Sequence, residues 1–448
     1  MRNDGNASAK QRKLSAERQD ETGGRAREDL DSVGVKLMER VLERDNLKRA
    51  LNKVRSNQGG PGIDGLSVDQ LPGYLKLHWL SIREQLLSGA YRPSPVKTVL
   101  IPKDKGAVRQ LGIPTVLDRF IQQALLQVLQ SEWDATFSHS SYGFRPKRSA
   151  HQAVDSAQRY LRAGYSWVVD LDLERFFDTV NRDVLLHRVR GRVKDPRVLG
   201  LIGRMLRAGA CHAGRLRATP QGTPQGGPLS PLLANVLLDE LDRELERRGH
   251  RFVRYADDCN IYVRSRRAGE RVLASVRGFL GRRLKLKVNE LKSAVDRPWK
   301  RRILGFTFTR SRPNRLAVSA KAIDALKSEV RLLTQRTRGR TLKQIIEELR
   351  MTLLGWKAYF GRAEVLSPLR ELDQWVRRRL RCYQWKQWGG RGYRALRALG
   401  VSRELAWNTS KSAHGPWRLS RSPALTYAMP RKYFERLGLP ALSGSLAQ

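Results

Sequence analysis

The sequence predicts an α+β body followed by a basic, purely helical region. Alternating apolar residues over 166–173 and 251–264 indicate β-strands, whereas from about Ala320 onward the apolar residues recur only at helical spacing. The chain has 448 residues, and at about 150 residues per domain this length corresponds to roughly three domains. A hydrophobic fraction of 40% is enough for each domain to bury a core, which excludes wholesale disorder.

Other elements are expected on both sides of these strands. Residues 1–32 are polar, their positive and negative charges nearly cancel, and they are predicted to form a disordered tail. Further strands are expected near 284–288 and 303–309. Ser230 is followed by a proline and is predicted to be the N-cap of a long helix.

The composition narrows the class of partner. The chain carries 86 Lys and Arg against 43 Asp and Glu, a net charge of +43, which favours a polyanion as the natural partner. Three cysteines, none of them in a CxxC pair, argue against a disulfide framework and favour the reduced cytoplasm. The sequence has neither an apolar run of about 18 residues nor a signal peptide, so we expect no membrane partner.

Two acidic segments predict the chemistry. In VVDLDLERFFD (168–178), the period of two places Asp170 and Asp172 on the same face of a strand. Asp257 and Asp258 fall at a hairpin turn, where a shared metal ion would relieve their repulsion. Side by side, these elements would offer hard oxygen ligands to two Mg²⁺ ions, as in phosphoryl transfer. The alternative is an exposed strand residue beside an ordinary acidic turn.

Motifs along most of the chain resemble one family. YADD (255–258), preceded by VVDLDLERFFD and by TPQGGPLSP (223–231), resembles the reverse transcriptases encoded by bacterial group II introns. Other ordered matches are NQGGPGIDG (57–65), IPKDKGAVRQLGIPTVLDR (101–119), YGFRP (142–146), LKVNELKS (286–293), LGFTF (304–308) and LLGWKAYF (353–360).

The resemblance implies a right-hand polymerase. Fingers and palm would occupy 33–316, a helical thumb similar to the maturase region would occupy 317–365, and a basic C-terminal extension binding RNA or DNA would occupy 366–448. The resemblance also implies that Asp172, Asp257 and Asp258 are catalytic and hold two Mg²⁺ ions. Asp170 then becomes an outer or exposed acid.

The same resemblance implies how the substrate is held. Phe177 would be an aromatic gate that occupies the space of a 2′-hydroxyl and selects dNTPs, although Phe176 and Phe177 could both be core residues. The other implied substrate-binding residues are Lys103 and Arg109 at the triphosphate, Gln225 and Gly226 against nucleotide and template, and Lys292 as a proton donor to pyrophosphate. For Lys292, an ordinary surface lysine is the alternative.

The helical region is expected to contact nucleic acid. The resemblance implies a primer grip formed by Leu304, Gly305 and Phe306. Phosphate contacts are expected from Arg377, Arg378, Arg381 and Lys386, because basic side chains give salt-dependent affinity with little sequence readout. One or two of the tryptophans among these residues could stack on bases, while most would be core.

The function that follows is RNA-directed DNA synthesis from dNTPs. The expected partners are an RNA template with a DNA primer and a group II intron RNA whose splicing and mobility the protein would support. The alternatives are an RNA-binding splicing cofactor without polymerase activity, and a domesticated enzyme of host DNA repair or phage defence. A nonspecific packaging protein would leave the ordered motifs as coincidence.

No CxxC or clustered histidines follow Cys382, so we expect no DNA cleavage. The oligomeric state stays open.

Overall fold

A computed structural model describes residues 36–102, 108–212, 215–217, 221–223 and 225–444. The predicted tail at 1–32, Lys103 and the side chain of Arg109 lie outside the described residues. The described chain divides into two compact units. The first contains residues up to 153 and residues 169–295, and the second contains 154–168 and residues from 296 onward.

The strands come mainly from the first unit. Their bounds are β1 Val96–Pro102, β2 Val108–Ile113, β3 Trp167–Leu171, β4 Ala210–His212, β5 Arg215–Arg217, β6 Arg251–Tyr255, β7 Asp258–Val263, β8 Ala294–Asp296, β9 Phe306–Phe308 and β10 Leu316–Val318.

Helices connect and follow these strands. Their bounds are α1 Leu37–Val41, α2 Arg44–Ser56, α3 Leu71–Leu87, α4 Val116–Asp134, α5 Ala150–Arg162, α6 Phe176–Thr179, α7 Arg182–Arg190, α8 Pro196–Arg207, α9 Ser230–Arg247, α10 Arg266–Phe279, α11 Ala320–Leu333, α12 Leu342–Phe360, α13 Ser367–Trp388, α14 Gly392–Ala398, α15 Arg403–Ser410, α16 Pro416–Leu419, α17 Pro423–Ala428 and α18 Arg431–Arg436.

A sheet with the strand order β6-β7-β3-β8 forms the centre of the first unit. Strands β6 and β7 form the predicted hairpin, in which Tyr255 pairs with Asp258 and leaves a two-residue turn. Ala256 in that turn has a φ of +58°, as a tight hairpin of this length requires. The alternation of apolar residues therefore predicted this hairpin correctly.

A second sheet has the order β2-β1-β4-β5. Strands β1 and β2 are antiparallel, and β1 pairs in parallel with β4 through Val96 and Ala210. The long helix α9 is buried along much of its length, which fits its run of leucines. It begins at Ser230, and Leu229 is the N-cap, so the predicted cap was wrong by one residue. The Ser230 hydroxyl instead accepts a hydrogen bond from Thr223 Oγ1 at 3.3 Å.

The prediction of a strand near 284–288 is also wrong. Residues Leu280–Leu284 form a π-helical turn that ends at Lys285, whose φ is +55°. Of the segment that follows, only Val288 forms an isolated bridge, to Leu173. Apolar residues in a tight turn were mistaken for a strand. The strand expected at 303–309 is confirmed as β9.

The helices of the second unit share one core. Its members come from every part of this region, including Val330 of α11, Ile345 of α12, Leu380 of α13, Leu425 of α17 and Leu442 after the last helix. This confirms the predicted fold class of an α+β body followed by a helical region. The predicted domain borders stay predictions. Among the described residues, no helix combines the length and the apolar character needed to cross a bilayer.

Candidate active site

The predicted carboxylates come from neighbouring strands of the first unit. Asp170 lies on β3, Asp172 follows its last residue, and Asp258 begins β7, the strand beside β3. Asp257 occupies the hairpin turn just before Asp258. The sheet therefore brings together the two acidic segments that are 85 or more positions apart in the sequence.

The carboxylates influence one another electrostatically. Partial loss of hydration and the negative charges of Asp257, Asp170 and Asp172 raise the pKa of Asp258 to about 6, and Lys292 opposes the shift. Solvent nevertheless reaches Asp258, which is exposed. The group is thus crowded by like charges at an open rim, not sealed in a cavity.

Hydrogen bonds fix both backbone polar groups of Asp172. Its N–H donates to Ser293 Oγ at 2.9 Å, and its carbonyl accepts the N–H of Asn289 at 2.9 Å. The Lys292 ammonium lies 3.5 Å from both carboxylate oxygens of Asp172. The segment 289–293 therefore fixes Asp172 and brings Lys292 to the acidic cluster.

The donor set suits a hard divalent cation. Carboxylate oxygens are the ligands that Mg²⁺ prefers, and a cation would relieve the repulsion that raises the pKa of Asp258. Within the described ranges, no three His, Cys, Asp or Glu side chains are already arranged as a metal-binding cluster. The carboxylates thus suit the ion by their chemistry, but their oxygens are not yet arranged at the distances that metal binding requires.

A cleft of about 610 Å³ lies in the same unit. Its walls include Thr98 of β1, Gln110 of β2, Phe177 of α6 and Gln225. Phe176 is buried and meets Phe177 edge-on, with ring centroids 5.2 Å apart, whereas Phe177 is only partly buried. Of the two phenylalanines, Phe176 is therefore the core residue and Phe177 faces the cleft.

The loop around Gln225 is fixed to β2. Gln225 O accepts the N–H of Gly112 at 2.8 Å. Gly226 has a φ of +134°, and a Cβ there would lie 2.8 Å from Gly112 O, so only glycine fits. These contacts explain the PQGG sequence and set one wall of the cleft.

Two cleft residues were missed in the sequence. Arg175 precedes Phe176 with a φ of +44° and lines the cleft. Arg182 also lines it and donates to the carbonyls of Gly222 at 2.8 Å and Gln221 at 3.1 Å. Loss of hydration and the charge of Arg207 lower the pKa of Arg182. The closeness of both arginines to Phe177 in the sequence was the available signal.

The predicted primer grip belongs to the second unit. Leu304 and Gly305 have φ values of +51° and +83°, and Leu304 O accepts the Tyr359 hydroxyl at 2.9 Å. Phe306 is fully buried, with its ring centroid 5.1 Å from that of Phe360. The LGF segment is therefore a tight turn packed on the end of α12.

The arginines of α13 have structural contacts that the sequence did not indicate. Arg378 stacks over Trp417 at 3.7 Å and donates to the Trp417 carbonyl at 3.1 Å. Arg381 donates to Met429 O at 3.0 Å. Each side chain thus docks a C-terminal helix onto α13. Lys386 is exposed.

A second cleft of about 450 Å³ opens beside these arginines. It is lined by Glu371, Gln374, Trp375, Arg377, Arg378, Arg381 and Arg421. Loss of hydration lowers the pKa of both Arg378 and Arg381, and the positive charges of Arg421 and Arg377, respectively, add to the effect. The walls are therefore crowded with positive charge.

Comparison with known proteins assigns domains to both units. Residues 101–308 match the family described as "Reverse transcriptase (RNA-dependent DNA polymerase)", and the chain therefore contains a reverse transcriptase domain. Residues 323–399 match the "Group II intron, maturase-specific domain". The two matches in this order confirm the predicted resemblance to group II intron reverse transcriptases.

Individual relatives are similar over part of their length. Protein YkfC of Escherichia coli (strain K12) is 35% identical over 193 residues, 42% of this chain and 51% of that protein. The "Group II intron-encoded protein LtrA" of Lactococcus lactis subsp. cremoris is 35% identical over 185 residues, 41% of this chain and 31% of that protein. The chain thus spans about half, or less, of these curated relatives.

One solved structure is similar in sequence to about half of the chain. A chain of the "Partial Cas6-RT-Cas1--Cas2 complex" shares 30% identity, covers 55% of this chain and 42% of its own, and has a TM-score of 0.36. That score is too low to compare the two folds.

Proposed function

We propose that this protein is an RNA-directed DNA polymerase that adds dNTPs to the 3′-hydroxyl of a primer paired with an RNA template. The observation that carries the proposal is that four carboxylates, on or next to the adjacent strands β3 and β7, influence one another within the reverse transcriptase match. The metal ligands would be Asp172, Asp257 and Asp258. Two Mg²⁺ ions held there would activate the primer hydroxyl and stabilise the leaving pyrophosphate.

The other side chains of the site would position the nucleotide. Phe177 would exclude a ribose 2′-hydroxyl, a role supported by its place in the wall of the cleft. Gln225 and Gly226 would lie against nucleotide and template, where glycine permits close approach of the backbone. Lys103 and Arg109 would hold the triphosphate, and the arginine could do so with a bidentate fork.

Two further roles complete the proposed reaction. Lys292 would donate a proton to the leaving pyrophosphate, and its position 3.5 Å from the oxygens of Asp172 supports this role. Leu304, Gly305 and Phe306 would form the primer grip, supported by the contacts of their tight turn with Tyr359 and Phe360 of α12.

A second activity concerns intron RNA. The maturase-specific match supports binding to a group II intron RNA, help with its splicing, and support of its mobility. Arg377, Arg378, Arg381 and Lys386 would contact phosphates. The proposed location is the cytoplasm.

Primer extension on an RNA template tests the polymerase. Asp257→Asn or Asp258→Asn should lower kcat on the order of 10³-fold, because each removes a metal ligand worth several kcal/mol in the transition state. The control is Asp183→Asn, which changes an exposed acid of α7 and should leave kcat unchanged. Undiminished extension by either of the first two variants would refute the catalytic assignment.

The same variants separate the two activities. In a splicing assay with a group II intron RNA, Asp257→Asn should assist splicing as well as the wild type does. A parallel loss of splicing would show that the two activities both depend on the acidic site and are not separate.

A further inference from the structure

Directly beneath the catalytic turn lies a buried arginine. Arg254 of β6 and Asp242 of α9 both have side chains with 0% exposure, and they form a two-pronged ion pair. Arg254 Nε donates to Asp242 Oδ1 at 2.7 Å, and Nη2 donates to Oδ2 at 2.6 Å. Such a pair, when fully enclosed, often contributes less stability than apolar residues of the same size.

The remaining donors of Arg254 reach the turn and its support. Nη1 donates to the carbonyl of Ala256 at 2.9 Å and to Asn235 Oδ1 at 2.9 Å. Nη2 also donates to Ser141 Oγ at 2.7 Å. Every N–H of the guanidinium is therefore used, and one of them holds the peptide that leads into Asp257.

The YGFRP segment, to which no role has yet been assigned, forms the other side of this support. Tyr142 N–H donates to Arg254 O, and Arg254 N–H donates to Ser140 O, both at 2.9 Å. Asn235 Nδ2 donates to Gly143 O at 2.9 Å, which joins this segment to the ligands of Arg254. A Cβ on Gly143 would lie 2.3 Å from Ala256 N, so the segment touches the turn through bare backbone.

We infer that Arg254, together with Asp242, Asn235 and Gly143, positions the turn so that Asp257 and Asp258 can bind divalent metal. The inference rests on the proposed function, because it concerns the same metal ligands. These residues are not among the proposed metal ligands, and they act through the backbone of Ala256. A planar guanidinium is needed, since a lysine ammonium, with three N–H groups, cannot reach five acceptor atoms on four residues.

Direct metal binding is the sharpest test. Mn²⁺ binding to the full chain, measured by electron paramagnetic resonance, needs no turnover and reports on the turn itself. Gly143→Ala and Asn235→Ala keep the ion pair, and each should weaken Mn²⁺ binding about 10-fold, the usual effect of removing a group that orients metal ligands. Arg254→Lys keeps the charge and should weaken binding at least as much. In primer extension, the half-saturating Mg²⁺ concentration should rise in parallel.

Two matched controls separate positioning from stability. Gly73→Ala adds a Cβ with no atom within 4 Å. Arg197→Lys disrupts another ion pair of the same unit, to Asp195, whose side chain is also fully buried. This control should lower the Tm without changing Mn²⁺ affinity. If Gly143→Ala and Asn235→Ala also lower only the Tm, the contacts are structural and the inference is overturned. If the wild type binds no Mn²⁺ and extends no primer, the proposed function fails, and the inference fails with it.

Discussion

Arginine has different surroundings in the two units of this protein. In the sheet β6-β7-β3-β8 of the first unit, Arg254 is enclosed, and each of its side-chain N–H groups donates to a fixed acceptor. On α13, Arg378 and Arg381 are only partly buried, and each docks a helix by donating to a backbone carbonyl beside an open cleft. In the first unit, arginine therefore fixes the position of a backbone turn. In the second unit, arginines dock helices and keep their positive charge beside an open cleft.

The acidic cluster of the first unit and the basic cleft of the second unit also show opposite electrostatic crowding. Partial loss of hydration and neighbouring carboxylates raise the pKa of Asp258, whereas loss of hydration and a neighbouring arginine lower the pKa of Arg378. Each cluster would be relieved by a partner of opposite charge, a divalent cation in the first case and a phosphate in the second. Changes in the two regions should consequently affect different measurements.

The larger effect on substrate selection is expected in the first unit. Phe177→Val should loosen discrimination against rNTPs by roughly 10- to 100-fold, since the specificity would depend on steric exclusion by one ring. Competition between dNTP and rNTP in single-nucleotide extension measures it. Phe176→Leu, in the buried neighbour, should lower the Tm and leave discrimination unchanged. Equal discrimination by wild type and Phe177→Val would remove the gate from the proposal.

A smaller effect is expected from the basic cleft. Arg377→Gln combined with Arg421→Gln should weaken RNA binding by about 10-fold at low salt and reduce the slope of log affinity against log salt by about 2. The kcat of extension at saturating template should not change. Arg266→Gln, which removes an exposed arginine paired with Glu270, is the control. An unchanged salt slope in the double variant would mean that this cleft does not contact phosphate.

The smallest effect concerns stability and pH. The pKa of Asp258 is about 6 in the folded protein against 3.8 in the unfolded chain. The folded state therefore holds more protons between these values, and rising pH costs stability until the penalty is complete above about pH 6. Without metal, Asp258→Asn should raise the Tm by a few degrees at pH 8 and by less at pH 5.

Asp183→Asn again provides the comparison for the thermal measurement. A gain in Tm that does not change between pH 8 and pH 5 would mean that the charge of Asp258 is not the cause. In that case repulsion among the carboxylates would not destabilise the first unit, and the electrostatic contrast with the basic cleft would have no effect on stability.

The sequence predicted the parts of the site that depend on local pattern. Alternation placed Asp172 on a strand beside Asp170 and placed Asp257 in a hairpin turn. The structure has Asp172 one residue past the end of β3 and Asp257 in the turn. The support of that turn was not predictable, since Ser141 and Asn235 are 113 and 19 positions from Arg254. An arginine in a strand also gives no sign that it is buried.

Local geometry explains the remaining differences. Phe176 and Phe177 could not be told apart by pattern, because their orientation depends on the left-handed conformation of Arg175. The contacts of Arg378 and Arg381 with the C-terminal helices depend on packing between elements that are distant in the sequence. The helical region itself was predictable, since its apolar spacing is continuous.

The common core of the second unit has a consequence for its dynamics. Apolar residues on both sides of position 365 belong to one cluster, and the Asp373 carboxylate of α13 accepts the N–H groups of Leu442 and Ser443 at 2.8 and 3.0 Å. Elements joined in this way open together, so amide hydrogens from α11 to α18 should exchange with deuterium at similar, slow rates. A chain cleaved at the predicted border between thumb and extension would then lose protection on both sides of the cut.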